Sequence, residues 1–287
     1  MKVKTKNIKH QSGTFLGANQ SKLYYQSWHP KLTSRAILVI VHGLGAHSGI
    51  FSNLVEFFGD RPITIYALDL RGHGRSNGQR GYIKSWSEFR QDLDAFLQLI
   101  KAQEPKLPLF LLGQSLGGTI ALDYALRYGD RLQGLILLSP ALKVRVSRFK
   151  SILGRLLTHI MPRFALDTGI YIATISREPQ VVAGAIQDPL RHTKVTARLA
   201  TEFWRTVAYI EAHAAELKVP LLILHGGADL VTPANTSRAL FATIPLADKE
   251  RYVYLHGYHE LHNDRDRQRV FADLEDWIDR HVNARSS

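Results

Sequence analysis

The 287-residue chain contains no cysteine. That excludes disulfides, thiolate catalysis and cysteine-based zinc sites. No uninterrupted apolar stretch approaches the length of a membrane span. The N-terminus carries Lys2, Lys4, Lys6 and Lys9, but no apolar segment follows them, so no signal peptide is expected. Acidic residues are in short supply, with 25 Asp and Glu against 37 Lys and Arg, a formal charge of +12. The excess predicts attraction to something anionic: a membrane surface, an acidic substrate or nucleic acid. No helix-turn-helix, RNP or zinc pattern accompanies it, which sets nucleic acid aside. The expectation is a cytoplasmic protein whose contact with a membrane is at most peripheral.

What the chain does have is Leu109-Phe-Leu-Leu-Gly-Gln-Ser-Leu-Gly-Gly118. An apolar run meets Gly-x-Ser-x-Gly, and Leu116, Ile120, Ala121, Tyr124 and Ala125 then recur at helical spacing. Ser115 therefore sits at a strand-to-helix turn, the context of a nucleophile elbow. Side chains at Gly113 and Gly117 would collide where strand and helix cross. The new helix aims free N–H groups and a positive dipole end at the serine oxygen, which suits a developing oxyanion. A glycine-rich turn with a bystander serine is the bland alternative. The rest of the chain must supply a base, an acid and a second oxyanion donor.

Around this stretch the pattern alternates. Two short strands, Thr14–Leu16 and Lys22–Trp28, precede the continuous apolar run Ala36–Val41, which suits a strand buried on both faces. It empties into His42-Gly-Leu-Gly-Ala-His-Ser-Gly49, where the N–H of Leu44 is the candidate second oxyanion donor beside the N–H of Leu116. His42 is expected to shape this loop and not to do chemistry. Asp69 stands at the end of the Ile63–Leu68 strand, where turn chemistry is favoured over a catalytic role. Ser85-Trp-Ser-Glu88 has capping-box form. Leu132–Leu138 is another buried strand. Strand and helix in alternation imply a mostly parallel sheet with helices on both faces, an α/β fold, with ligands outside the carboxyl ends of the strands.

From Leu142 the pattern changes. Phe149, Ile152, Leu153, Leu156 and Ile160 recur at helical spacing among Arg148, Lys150, Arg155 and His159, with no acidic residue until Asp167. This reads as a basic amphipathic helix, packed on the core or facing anionic headgroups. Leu199, Phe203, Val207 and Ile210 suggest another helix. Residues 142–213 are expected to form a helical cap inserted into a core made of 1–141 and 214–287.

The strand Pro220–His225 then ends in Gly226-Gly-Ala-Asp229, with Thr232-Pro233 expected to open the next helix as N-cap and first residue. Asp229 lies at a strand end, where a catalytic acid would be placed. His256-Gly-Tyr-His-Glu-Leu-His262 follows the last strand. His256, His259 and His262 compete as base, and the Gly257-x-His259 spacing favours His259. The order Ser115, Asp229, His259 is that of an α/β-hydrolase triad.

On these residues the chain resembles the α/β-hydrolases that include monoacylglycerol lipases and bacterial lysophospholipases. The motifs are His42–Gly49, Asp69-x-Arg-Gly-His-Gly-Arg-Ser76, Gly113–Gly118, Gly227–Asp229 with Thr232-Pro233, and Gly257–His262. In the elbow, Gln114 and Leu116 stand where the family often has His and Met. The resemblance implies Ser115 as nucleophile, Asp229 as acid, His259 as base, Leu44 and Leu116 as oxyanion amides, and a mobile cap gating acyl-chain entry. It implies hydrolysis of a single-acyl-chain lipid, monoacylglycerol or lysophospholipid, without metal or cofactor. Other readings on this fold are a small-ester carboxylesterase, an acyl-thioesterase, a peptidase acting on an N-terminal residue, or a binding protein without turnover.

Overall fold

The computed structural model describes residues 8–143, 157, 158 and 160–283. Its centre is an eight-stranded sheet in the order β1-β2-β4-β3-β5-β6-β9-β10. The strands are β1 (Ile8–Leu16), β2 (Lys22–Pro30), β3 (Ala36–Val41), β4 (Ile63–Leu68), β5 (Leu109–Gln114), β6 (Gly134–Leu138), β9 (Leu221–Gly226) and β10 (Lys249–Tyr254). β1 and β2 pair antiparallel with each other, and β2 with β4; every other pairing in this sheet is parallel.

The continuous apolar runs have a physical reason. In β3, Ile37, Val39 and Val41 face one hydrophobic cluster while Leu38 and Ile40 face the other. The same division places Leu111 of β5 on one side and Phe110 and Leu112 on the other. Alternate side chains of a strand point to opposite faces, so burial on both demands apolar residues throughout. The first face is covered by α2 (Ser87–Gln103), α3 (Leu116–Tyr128) and α5 (Ala197–His213); the second by α1 (Ser52–Phe57) and α7 (Arg267–Asn283). In α7, Val270, Phe271, Leu274, Trp277 and Ile278 are all fully buried.

Three local expectations differ from the structure. β1 begins at Ile8, earlier than its apolar residues suggest, because Lys9–Ser12 are exposed along the sheet edge and carry no alternation. The Ser85 capping box does not form: Ser85 Oγ meets Ser87 Oγ at 2.6 Å, and Glu88 instead accepts the Lys84 N–H at 2.8 Å. The helix α6 (Ala234–Thr243) starts one residue late, with Pro233 as its cap. Thr232 is turned away from it, toward Asp229.

Between β6 and β9 the described chain contains α4 (Pro179–Gln187), α5 and a short antiparallel pair, β7 (Ala165–Asp167) with β8 (Lys194–Thr196). Leu199, Phe203, Val207 and Ile210 of α5 bury the face expected of them. Most of the expected basic helix, including Arg148, Phe149, Lys150 and Arg155, lies outside the described residues.

Candidate active site

Ser115 lies between β5 and α3 with φ 52° and ψ −118°, a left-handed conformation that costs a non-glycine residue energy. Neighbouring backbone holds it there. Its N–H donates to Leu138 O at 3.1 Å, and its carbonyl accepts from Gly118 N at 2.9 Å and Ala141 N at 3.0 Å. The glycines are demanded by crowding: a Cβ on Gly113 would sit 2.3 Å from Gly117 O, and one on Gly117 would sit 2.1 Å from Val41 O.

The His42–Gly49 loop passes directly over this turn, since a Cβ on Gly43 would lie 3.0 Å from Ser115 Cβ. That carries Leu44 past the elbow. His42 Nε2 accepts the Leu70 N–H at 2.9 Å, so its proton sits on Nδ1 and is donated to Gly43 O at 2.7 Å. Burial holds this ring neutral, down to about 4. It pins the loop, as expected. Asp69 is a turn residue: its carboxylate accepts from Ser48 N at 2.7 Å and Arg75 N at 2.8 Å.

At the ends of β9 and β10, His259 Nδ1 lies 2.8 Å from Asp229 Oδ2. Of the three candidate histidines, His259 is the one beside Asp229. His256 is exposed, and His262 is stacked on Phe51 with ring centroids 4.4 Å apart. Asp229 is enclosed by donors. Oδ1 accepts from Val231 N at 2.8 Å and Thr232 N at 2.9 Å, and Oδ2 accepts from Thr232 Oγ1 at 2.8 Å. The fully buried His225 brings Nε2 to 3.5 Å from Oδ2. Burial alone would raise the Asp229 carboxyl. His259, His225 and the Thr232 amide reverse that and hold it well below the usual carboxylate range.

An acceptor at Nδ1 fixes the tautomer of His259, leaving a lone pair on Nε2. That nitrogen lies 3.3 Å from Gln114 Nε2, whose N–H can donate into it. No hydrogen bond joins Ser115 Oγ to the ring among the described residues; such contacts commonly close only with substrate bound. A base held by a carboxylate, a serine on a strained turn and a glycine loop over it together suit acyl transfer.

Sequence reasoning missed a strap across the site. The segment Asp188–His192 touches both the His42–Gly49 loop and the loop after β10. Asp188 Oδ2 accepts from His47 Nε2 at 2.7 Å, and the His192 N–H donates to Gly45 O at 2.9 Å. Gly45 has φ +71°, and a Cβ there would meet His192 O at 1.9 Å. Arg191 reaches the other loop, donating to both carboxylate oxygens of Glu260 at 2.8 and 3.1 Å. Burial alone would raise the Glu260 carboxyl, but Arg191 and Asn263 bring it down to about 2. The partners are 69 residues apart in sequence, so no local pattern announces them.

The family model described as serine aminopeptidase, S33 (Hydrolase_4) matches residues 33–266. A monoacylglycerol lipase of Mycolicibacterium smegmatis is 31% identical over 272 residues, covering 94% of this chain and 97% of that protein. Phospholipase YtpA of Bacillus subtilis is 29% identical over 251 residues, covering 86% of this chain and 96% of that protein. The crystal structure of Paleococcus ferrophilus monoacylglycerol lipase matches with a TM-score of 0.82 and 31% identity, covering 90% of this chain and 99% of that one.

Proposed function

The chain belongs to the serine aminopeptidase S33 (Hydrolase_4) family, as an α/β-hydrolase of the monoacylglycerol lipase type, and from that membership we propose that it hydrolyses the ester of a lipid carrying one acyl chain, monoacylglycerol foremost. The observation that carries the reading is the 2.8 Å contact of His259 Nδ1 with the enclosed Asp229 carboxylate, beside a serine at φ 52°.

In this mechanism Ser115 Oγ attacks the ester carbonyl while His259 Nε2 takes its proton. Asp229 keeps the Nδ1–H of the ring in place and stabilises the imidazolium. The N–H groups of Leu44 and Leu116 receive the oxyanion. His259 then gives the proton to the leaving glycerol oxygen. Water attacks the acyl-enzyme in the reverse sense, releasing fatty acid and restoring Ser115.

Residues 142–213 are assigned as the cap that admits the acyl chain. In support, Ile160, Phe164, Tyr171 and Ile186 are exposed by 67%, 44%, 74% and 66% on this segment. Exposed large apolar side chains beside a basic stretch suit an anionic lipid surface. No helix among the described residues is long and apolar enough to cross a membrane. A lysophospholipid is the second reading, favoured by the +12 charge and by the phospholipase relative.

The test is fatty-acid release from matched monoacylglycerol and lysophosphatidylcholine by wild type and Ser115→Ala. The reading expects monoacylglycerol to be preferred and the variant to lose at least about 10⁴-fold in rate. Cleavage of short-chain esters alone would replace it with a carboxylesterase. Labelling of Ser115 by a fluorophosphonate without turnover of either lipid would replace it with a binding protein.

A further inference from the structure

Thr232 is buried, and its side chain does something a helix cap would not. Its Oγ1 lies 2.8 Å from Asp229 Oδ2, 3.1 Å from His259 Nδ1 and 3.2 Å from Ser139 O. A hydroxyl has one hydrogen, and the shortest of these contacts assigns it to the carboxylate. The oxygen's lone pairs then face the Nδ1–H of His259, which already donates to the same Oδ2 at 2.8 Å. Threonine, carboxylate and imidazole thus close a ring of three polar groups.

Two further contacts and the proline that follows fix the hydroxyl's position. The Thr232 N–H donates to Asp229 Oδ1 at 2.9 Å, its carbonyl accepts from His225 Nε2 at 2.7 Å, and Pro233 follows it. Backbone and side chain of one residue therefore hold both oxygens of the carboxylate. A carboxylate with fewer partners could rotate about its χ2, a broad torsion, and carry the imidazole with it.

We propose that Thr232 is the positioning residue of the His259–Asp229 pair, its hydroxyl fixing the carboxylate rotamer and with it the direction of His259 Nε2. This rests on the reading of His259 as base and Asp229 as its partner. Thr232 does not touch substrate. Its loss therefore lowers the rate of serine acylation and leaves substrate binding alone.

Thr232→Val keeps the shape and removes the hydroxyl; Thr232→Ser keeps the hydroxyl and removes the methyl. Both are measured with a soluble short-chain ester for kcat and KM, and with a fluorophosphonate for the rate of Ser115 labelling. His259→Ala and Asp229→Asn are the controls. A hydrogen bond to a charged group is worth enough to predict that Thr232→Val loses roughly ten-fold in kcat and in labelling rate, with KM unchanged and Thr232→Ser within about three-fold of wild type. Thr232→Ala is the second variant where valine is not accommodated, with the same loss expected. Rates within two-fold of wild type in both Val and Ala variants overturn the proposal, as does a Ser variant as impaired as the Val one, which would make the role one of packing. Controls that remain fully active would overturn the reading of base and acid itself. Inactive controls beside an unaffected Thr232→Val overturn the Thr232 proposal alone.

Discussion

Arg191→Met tests whether the strap bears on stability. The substitution keeps the aliphatic stem and removes the guanidinium from Glu260, whose side chain is 5% exposed against 13% for Arg191. In the folded protein the Glu260 carboxyl is brought from 4.5 down to about 2. A difference of that size corresponds to about 3 kcal/mol at neutral pH. Breaking one partner out of a buried pair costs about 3–5 kcal/mol in general, so two routes agree near the lower figure. Because the folded value is depressed, the contribution is fully present above about 4.5 and is lost as pH falls toward about 2. Urea unfolding at pH 7, followed through the buried Trp86 and Trp277, should show Arg191→Met less stable by about 3 kcal/mol with an unchanged slope. Adding Glu260→Gln removes the stranded charge and should recover at least half of the loss. A single-variant loss below about 1 kcal/mol refutes the reasoning, as does a double variant no more stable than Arg191→Met.

His42, His192 and His262 are each held neutral by burial, down to about 4, and His73 well below its usual value. The unfolded chain binds these protons first, so their contribution is present above about 6.5 and declines as pH falls toward 4, by about 1.4 kcal/mol per pH unit for each ring. Urea midpoints should fall steeply between pH 6.5 and 5, and His262→Phe should flatten that slope; a level profile contradicts the assignment. Neutralising Arg148, Lys150 and Arg155 together should reduce co-sedimentation with anionic vesicles, and unchanged sedimentation removes the anionic-lipid reading of the cap.

How much of this was legible depends on the range of the interaction. The strands β3 to β6 and β9 announce themselves because both faces are buried, so only a few polar residues such as Thr64, Gln114 and His225 interrupt the apolar runs. The elbow is legible because Gly113 answers a backbone collision with Gly117, four residues on; the collision at Gly117 is with Val41 and His42 of a distant strand end. β1 is not, since Lys9–Ser12 line an exposed edge where backbone pairing, not side-chain burial, makes the strand. Thr232 looks like a cap because the same hydroxyl that caps a helix also serves a carboxylate three residues back; only tertiary position decides between them. Glu88 resembles a capping partner for the same reason, yet Asn19 and Arg71 also claim its carboxylate. The pairs His47–Asp188 and Arg191–Glu260 join distant segments and leave no trace in any window of sequence.

The strap also has a meaning for protein engineering. On the proposed reading of the segment between β6 and β9 as a cap, exchanging it with that of a relative is a route to altered chain-length preference. Its natural cut points lie at the ends of those strands. Yet residues 188–192 are fitted to Gly45, His47 and Glu260, which such a graft would leave behind. A foreign segment would meet an unmatched carboxylate and a loop shaped for another neighbour. Grafts that transplant positions 45, 47 and 260 together with the segment are the ones whose contacting loops stay in register, so three distant codons travel with it as one module.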